Sequence, residues 1–327
     1  MKTKLHILIV LLVSSFVTVS CEYYGFDLHG EDDEGRICVF SVAGVKDTTF
    51  VTVRTTRPVN DVSPYVPYDK AQAVLRINDS PVFIEEWKGN SDPGKIFFTT
   101  APVNHGDRLE LSVTNPGLDA VHSVTTVPAP VPEFTVEGEV LRSVEDDLYE
   151  QVDPSGGYLY DSADVVRLRV TFRDDPSTED HYAVQLMKYN EYIRDEGPVY
   201  VSRHSGFIVD RNAVSARNDI IPIVDVSHVF GDRYGIRSVT YFNDAEFNGQ
   251  DVTREYAMRH DDSYCYKIRL YRISEELYRS LESYFIWHSG PLSDQHLAPF
   301  YPYTNVISGV GCFASASVRE SGLIRVQ

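Results

Sequence analysis

Oxygen-bearing side chains between Asp244 and Glu255 follow the spacing of a calcium-binding loop. Positions 1, 3, 5, 6 and 12 of such a loop are filled by Asp244, Glu246, Asn248, Gly249 and Glu255. Asp251, however, stands where these loops are apolar, and no helical pattern flanks the segment. Asn248-Gly249 is also a strong two-residue turn signal. The sequence therefore favours a β-hairpin, with Phe247 and Gln250 flanking the turn, over a metal site at Asp244, Glu246, Asn248 and Glu255.

A second acidic group surrounds Pro176. Its members are Asp174, Asp175, Glu179, Asp180 and His181. Carboxylates with one imidazole are a ligand set that several divalent metals accept. Asp-Asp-Pro-Ser between two β-rich runs is also typical of a turn, and the turn is the favoured interpretation. A metal-assisted hydrolase that uses the acidic clusters stays an alternative.

Nucleophilic catalysis finds little support in the sequence. Neither Gly-x-Ser-x-Gly nor His-Glu-x-x-His occurs, and Ser205 beside His204 comes without an oxyanion signature. Gly309-Val310-Gly311 precedes no helical pattern, so a tight bend is favoured over a phosphate loop. We therefore assign no catalytic residue and no cofactor.

Aromatic residues offer a different kind of surface. The chain has 21 tyrosines and two tryptophans. Most should pack in sheets, but some can form a contact surface for a glycan, a peptide or a partner protein. The candidates in loops or at strand ends are Tyr158, Tyr160, Tyr189, Tyr192, Tyr200, Tyr301, Tyr303, Trp87 and Trp287.

The N-terminus predicts export and anchoring. Lys2 and Lys4 precede an apolar run that is too short to span a membrane, which is the pattern of a signal peptide. We assign residues 1–20 to that signal. Cys21 follows a small residue, as in the lipobox of bacterial lipoproteins, although Thr18 replaces the usual leucine. The alternative is an ordinary secretory signal, and lipidation of Cys21 is favoured.

Composition limits the partners. The net charge is −18, and removal of Lys2 and Lys4 with the signal changes it to −20. A polyanion requires a basic footprint, so no nucleic acid is expected to bind. The three remaining cysteines, Cys38, Cys265 and Cys312, are too far apart in sequence for a disulfide framework. A single disulfide bond between two of them stays an alternative.

The mature chain has 307 residues once residues 1–20 are removed from 327, which suggests two domains. Residues 21–35 form an acidic tether. Short β-rich runs with turn signals then continue to residue 130, which is typical of an antiparallel sandwich. Three alternating prolines between Val127 and Pro132 are typical of a stiff extended segment. We place the domain boundary there, giving domains at 36–130 and 133–327.

The second half is also β-rich, with one helix. Ser274 can cap a helix in which Leu277, Leu281 and Phe285 repeat every four residues. We expect it at 275–288, ending before Gly290-Pro291. The predicted fold is all-β, with two sandwich-like domains of immunoglobulin or fibronectin type and one C-terminal helix.

Several motifs together resemble a known family. They are Gly106–Val113, Thr125–Pro128, Phe172–Pro176, His181–Leu186, Phe242–Gly249 and Pro299–Phe313 with Asn305, Gly309 and Gly311. In this order they resemble Bacteroidota lipoproteins catalogued as domain of unknown function 4249. The resemblance implies an outer-membrane lipoprotein, anchored by lipid on Cys21, often encoded near TonB-dependent transporters. It transfers no catalytic residue. A non-enzymatic accessory or capture role follows, with a purely structural envelope component as another alternative.

Overall fold

Strands are the dominant element of the chain. The computed structural model describes residues 35–44, 47–56, 66–88, 94–145, 162–194, 197–203, 209–210, 223–225, 238–260, 262, 264–289 and 303–326. In the first half the strands are β1 (Ile37–Ala43), β2 (Thr49–Thr55), β3 (Gln72–Ile77), β4 (Ser80–Val82), β5 (Glu85–Trp87), β6 (Lys95–Thr99), β7 (Arg108–Asn115) and β8 (Leu118–Thr126).

The second half adds ten strands and one helix to the described elements. They are β9 (Phe134–Glu145), β10 (Ser162–Arg173), β11 (His181–Arg194), β12 (Gly197–Arg203), β13 (Val209–Asp210), β14 (Ile223–Asp225), β15 (Ser238–Asn243), β16 (Asp251–Arg259), β17 (Tyr264–Ile273), α1 (Glu275–Ser289) and β18 (Val310–Glu320).

These strands form three sheets. In the ten-stranded sheet the order is β14-β15-β11-β17-β18-β1-β2-β6-β5, with β12 also paired to β11. The two four-stranded sheets have the orders β13-β16-β10-β9 and β4-β3-β7-β8. Neighbouring strands are antiparallel except β1 and β18, which are parallel. The all-β class predicted from the sequence is confirmed.

Apolar side chains that alternate along the strands join these sheets in pairs. Val39 of β1 and Val53 of β2 pack with Leu111 of β7 in one core. We call this pair of layers the first sandwich. Leu168 of β10 packs with Leu186 of β11 in another core, and we call that pair the second sandwich. Burial of such side chains contributes about 1.5–3 kcal/mol each.

Helix α1 covers the opposite face of the ten-stranded sheet. The Leu277 backbone N–H donates to Ser274 Oγ at 3.4 Å, which is the predicted N-cap. Leu277 and Leu281 are buried against residues of β17 and β18. The helix was predicted at 275–288, and it extends over Glu275–Ser289.

The proline-rich segment lies between β8, in the first sandwich, and β9, in the second. Strand β18 then pairs with β1 on one side and β17 on the other, so the two sandwiches share the ten-stranded sheet. Arg36–Thr56 and Val66–Gln327 fall in one compact unit. The prediction that residues 36–130 and 133–327 fold independently is untested, and the shared strand β18 supports the opposite expectation of a single cooperative unit.

Candidate functional site

Two chain crossovers lie side by side at one end of the second sandwich. Residues 174–180 lead from β10 into the ten-stranded sheet, and residues 244–250 lead from that sheet back to β16. The Asp174 N–H donates to the Gln250 carbonyl at 3.0 Å, and the Asp244 N–H donates to the Asp180 carbonyl at 3.1 Å. The two acidic segments singled out in the sequence are therefore neighbours.

The second crossover corrects the hairpin prediction. A turn does occur at Asn248-Gly249, because the Gln250 N–H donates to the Phe247 carbonyl at 2.8 Å and Gly249 has φ of 74°. However, β15 pairs with β11 and β14, whereas β16 pairs with β10 and β13. The hairpin prediction is wrong, since the strands on either side of the turn belong to different sheets.

Three carboxylates converge where the crossovers meet. One carboxylate oxygen from each of Asp174, Asp180 and Asp244 lies within 4.8 Å of the other two. The exposed fractions of these residues are 2%, 6% and 4%. Buried ionised carboxylates are costly unless charges or hydrogen bonds compensate them, so their donors decide what this cluster can do.

Asp174 has two internal donors. The Tyr182 hydroxyl donates to its Oδ1 at 2.6 Å, and the Gly249 N–H donates to its Oδ2 at 2.9 Å. Burial, and then the hydrogen bond to Asp174, raise the pKa of Tyr182, so the phenol keeps its proton. A side-chain oxygen of Asp244 accepts from the Asp180 N–H at 2.8 Å.

Arg272 of β17 supplies the positive charge. Its guanidinium pairs with Asp180 and also donates to the Pro130 carbonyl at 3.4 Å. Burial lowers the pKa of Arg272, and the carboxylates of Asp175 and Asp174 oppose that effect. Burial, and then the charge of Asp174, raise the pKa of Asp244. A cation entering here would compete with Arg272 for these carboxylates.

The other candidate ligands of the disfavoured calcium loop lie outside this cluster. Glu246 and Asn248 are exposed, and Glu255 pairs with Arg169 at 2.9 Å. Of the four candidates in the alternative calcium loop, only Asp244 belongs to the carboxylate cluster found among the described residues. Asp175 accepts from the Ser177 N–H at 3.0 Å, as in a turn.

His181 is half-buried against a ring rather than bound to the cluster. Its imidazole lies 4.5 Å from the Tyr278 ring, between ring centroids. Burial lowers the pKa of His181, and the carboxylates of Glu275 and Asp244 oppose that effect. The imidazole does not join the three carboxylates.

Some predicted features lie outside the described residues. They are the signal peptide, Cys21, the tether up to residue 34, the pair His204 and Ser205, and Tyr158, Tyr160 and Tyr301. Nothing is described for the side chains of Tyr192, Tyr200 and Trp287. No disulfide joins Cys38, Cys265 and Cys312, the cysteines in the described part of the chain, and burial raises the pKa of Cys312 to about 12.

The C-terminal motif has a structural role. The Asn305 amide donates to the Phe313 carbonyl at 2.7 Å and accepts from the Phe313 N–H at 3.0 Å, so it imitates a strand partner. A Cβ at Gly309 would lie 2.6 Å from the Ile37 carbonyl oxygen. The predicted bend is present, since the Gly309 N–H donates to the Val306 carbonyl at 3.2 Å.

Two aromatic side chains are exposed in the first sandwich, one between β4 and β5 and one in β5. Phe83 is 79% exposed and Trp87 is 43% exposed. The Trp87 ring stands edge-on to Phe50 and Phe98, with centroid distances of 6.0 and 5.7 Å. Thr99 Oγ1 donates to the Phe83 carbonyl at 2.8 Å. These contacts hold both aromatic residues in place although their side chains are exposed.

Comparison with known families agrees with the resemblance seen in the sequence. The sequence model of the family described as domain of unknown function (DUF4249) matches residues 24–321. The chain belongs to this family. A search of curated proteins found no match. Within the described part, no helix has the length and apolar character of a membrane span.

The sequence alone missed two members of the cluster and one of the exposed aromatics. Arg272 lies in an ordinary β-rich run, and Tyr182 contributed only to the family resemblance. Phe83 belongs to the apolar run Pro81–Ile84 beside two glutamates, which was not recognised as an edge of the sheet. The place of Arg272 and Tyr182 in the cluster, and the exposure of Phe83, become visible only when distant strands are paired.

Proposed function

We propose that the chain is a lipid-anchored lipoprotein of the outer membrane that captures a partner or ligand without catalysing a reaction. Support for the anchor comes from the signal-like N-terminus and from Cys21 at the expected cleavage point. Membership of the DUF4249 family agrees with it, because the resemblance drawn from the motifs implies an envelope lipoprotein. A TonB-dependent transporter is the partner that this resemblance favours.

The exposure of Phe83 and Trp87 carries the capture role. Large aromatic side chains dominate binding energy at protein interfaces, because they bury much area with little loss of rotamer entropy. Glu85 and Glu86 lie between them and are exposed. Lys95 pairs with Glu86 at 3.2 Å, which leaves Glu85 to contribute negative charge. These exposed residues suit a partner that offers an apolar contact and a nearby basic side chain.

Affinity purification from detergent-solubilised membranes tests the capture role. Wild type and Phe83→Ser are compared with Leu323→Ser, which changes a side chain 39% exposed in the second sandwich. We expect a transporter to co-purify with the wild type and with Leu323→Ser. Phe83→Ser should reduce its recovery about 30-fold, the loss expected for a hot-spot residue worth about 2 kcal/mol. Equal recovery with Phe83→Ser would exclude this surface, and no transporter with the wild type would exclude the partner.

The convergence of Asp174, Asp180 and Asp244 favours a second candidate, the metal-assisted hydrolase. Its weakness is that Arg272, Tyr182 and backbone N–H groups already bind these carboxylates. Titration with Ca²⁺, Mg²⁺ and Zn²⁺, followed by melting temperature, separates the two functions. We expect no saturable rise in the wild type. A rise that disappears in Asp244→Asn would support the metal site and the enzyme.

A further inference from the structure

Strand β18 is the last strand of the described chain, yet it lies in the middle of the ten-stranded sheet. It pairs in parallel with β1, from Cys38 opposite Val310 to Ala43 opposite Ser315. Its second half pairs with β17, from Ile273 opposite Ala316 to Arg269 opposite Glu320. One strand therefore completes the hydrogen bonding of both sandwiches.

The backbones of β1 and β18 approach each other so closely that two positions require glycine. Gly311 has φ of 113°, and a Cβ there would lie 2.0 Å from the Val39 carbonyl oxygen. A Cβ at Gly44, just after β1, would lie 2.4 Å from the Ala316 carbonyl oxygen. Positive φ and these short distances both require glycine. The observed pairing of β18 with β1 thus depends on glycine at these two positions.

Side chains of β18 also fix the segment that connects the sandwiches. Ser315 Oγ donates to the Thr126 carbonyl, and Ser317 Oγ donates to the Ala129 carbonyl, each at 2.7 Å. Both serines are buried, with exposed fractions of 0% and 3%. Without β18, these two carbonyl oxygens would lose these donors.

The core depends on the same strand. Phe313 is fully buried in the first sandwich. Cys312, Ala314 and Ala316 are buried under helix α1, on the other face of the sheet. Absence of β18 would therefore open a core on each face of the ten-stranded sheet and leave β1 and β17 with unpaired edges. Such edges favour aggregation.

We propose that β18 is a closing strand, which couples the two sandwiches into one cooperative unit and delays stable folding until the C-terminus is available. N-terminal domains ordinarily fold first during synthesis. Here β1 lies more than 260 residues from its partner β18, so the first sandwich cannot close early. The advantage of such delayed folding rests on the proposed function, since a chain exported to the envelope crosses the membrane unfolded.

Native-state hydrogen exchange on the full-length mature protein tests the coupling. The reporters are the amides of Leu111 in β7 and Leu168 in β10, because neither strand pairs with β18. We expect both amides to exchange through the same global opening as denaturant rises towards the midpoint. Two openings with different free energies at all denaturant concentrations would overturn the proposal.

Two variants sharpen this test. Ser315→Ala removes two side-chain hydrogen bonds of β18, to the Thr126 carbonyl and to Thr125 Oγ1. Exchange at Leu111 and Leu168 should accelerate by the same factor, between about fivefold and 150-fold. Gly322→Ala is the matched control, since nothing lies within 4 Å of a Cβ there, and it should leave both rates unchanged. Acceleration in one sandwich alone would show that β18 does not couple them.

Pulse-labelled refolding tests the order of events. We expect the amides of Leu111 and Leu168 to gain protection in the same kinetic phase as those of β18. Protection of either reporter in an earlier phase would contradict the delay. These measurements need neither lipid nor partner, so their failure is distinct from failure of the proposed function.

Discussion

The hydrogen bond between Tyr182 and Asp174 allows the structural role of the acidic cluster to be measured. Asp174→Ala would leave the Gly249 N–H without its acceptor and the Tyr182 hydroxyl with only the longer bond to Asp180 Oδ2, at 3.4 Å. An unsatisfied buried donor costs about 1–3 kcal/mol and a weakened hydrogen bond about 1 kcal/mol, so we expect the free energy of unfolding to fall by about 2–4 kcal/mol. That loss is a large part of the free energy of unfolding of a whole domain, which is roughly 5–15 kcal/mol.

A double-mutant cycle isolates the pair. Tyr182→Phe should cost about 1.5–3 kcal/mol, because it removes a hydrogen bond to a charged group. In Asp174→Ala the hydroxyl has already lost that acceptor. We therefore expect the double variant to be less destabilised than the sum of the singles by about 1–3 kcal/mol. Urea unfolding followed by fluorescence and circular dichroism supplies the four free energies.

Two controls complete the cycle. Asp174→Asn keeps an acceptor for the Gly249 N–H and offers its amide to the Tyr182 oxygen, so its loss should be smaller than that of Asp174→Ala. Glu179→Ala changes an exposed neighbour and should shift stability by no more than about 0.5 kcal/mol. Additivity of Asp174→Ala and Tyr182→Phe within about 0.5 kcal/mol would refute the reasoning.

Three further predictions concern titration and packing. The raised pKa of Asp244 means that its ionised form destabilises the fold, so wild type should lose stability relative to Asp244→Asn as pH rises from the ordinary value of 3.8 through the folded pKa. Melting temperatures of both proteins between about pH 4 and 8 measure this, and a gain by wild type would contradict it. Gly249→Val should destabilise the protein, because φ is 74° and a Cβ would lie 2.7 Å from Pro176 Cβ; an unchanged urea midpoint would count against that geometry. The raised pKa of Cys312 and its burial should keep this thiol unreactive towards iodoacetamide at pH 8 in the native protein, and rapid labelling seen by mass spectrometry would be inconsistent with the packing.

Local sequence signals predicted the elements that carry strong patterns of their own. Ser274 caps the helix as expected. Strand β18 was missed because small residues such as Ala314, Ser315 and Ala316 are buried on both faces and show no alternation. Its position is decided by β1 and β17, which are distant in sequence.

The cluster shows the same limit. Both acidic segments were recognised, but each was interpreted by itself, as a turn or a hairpin. Their meeting depends on two crossovers between sheets, and the Arg272 counter-ion arrives from β17. The Asn248-Gly249 turn was recognised from its residues, whereas the pairing of the strands on either side is a tertiary property.

Anchoring through Cys21 is the claim on which the proposed function depends most. Cells that express wild type, Cys21→Ala or the control Cys38→Ala are grown with a labelled fatty acid, and their membranes are fractionated. We predict label and outer-membrane location for wild type and Cys38→Ala, and unlabelled, released protein for Cys21→Ala. Label and outer-membrane location that persist in Cys21→Ala would contradict the account.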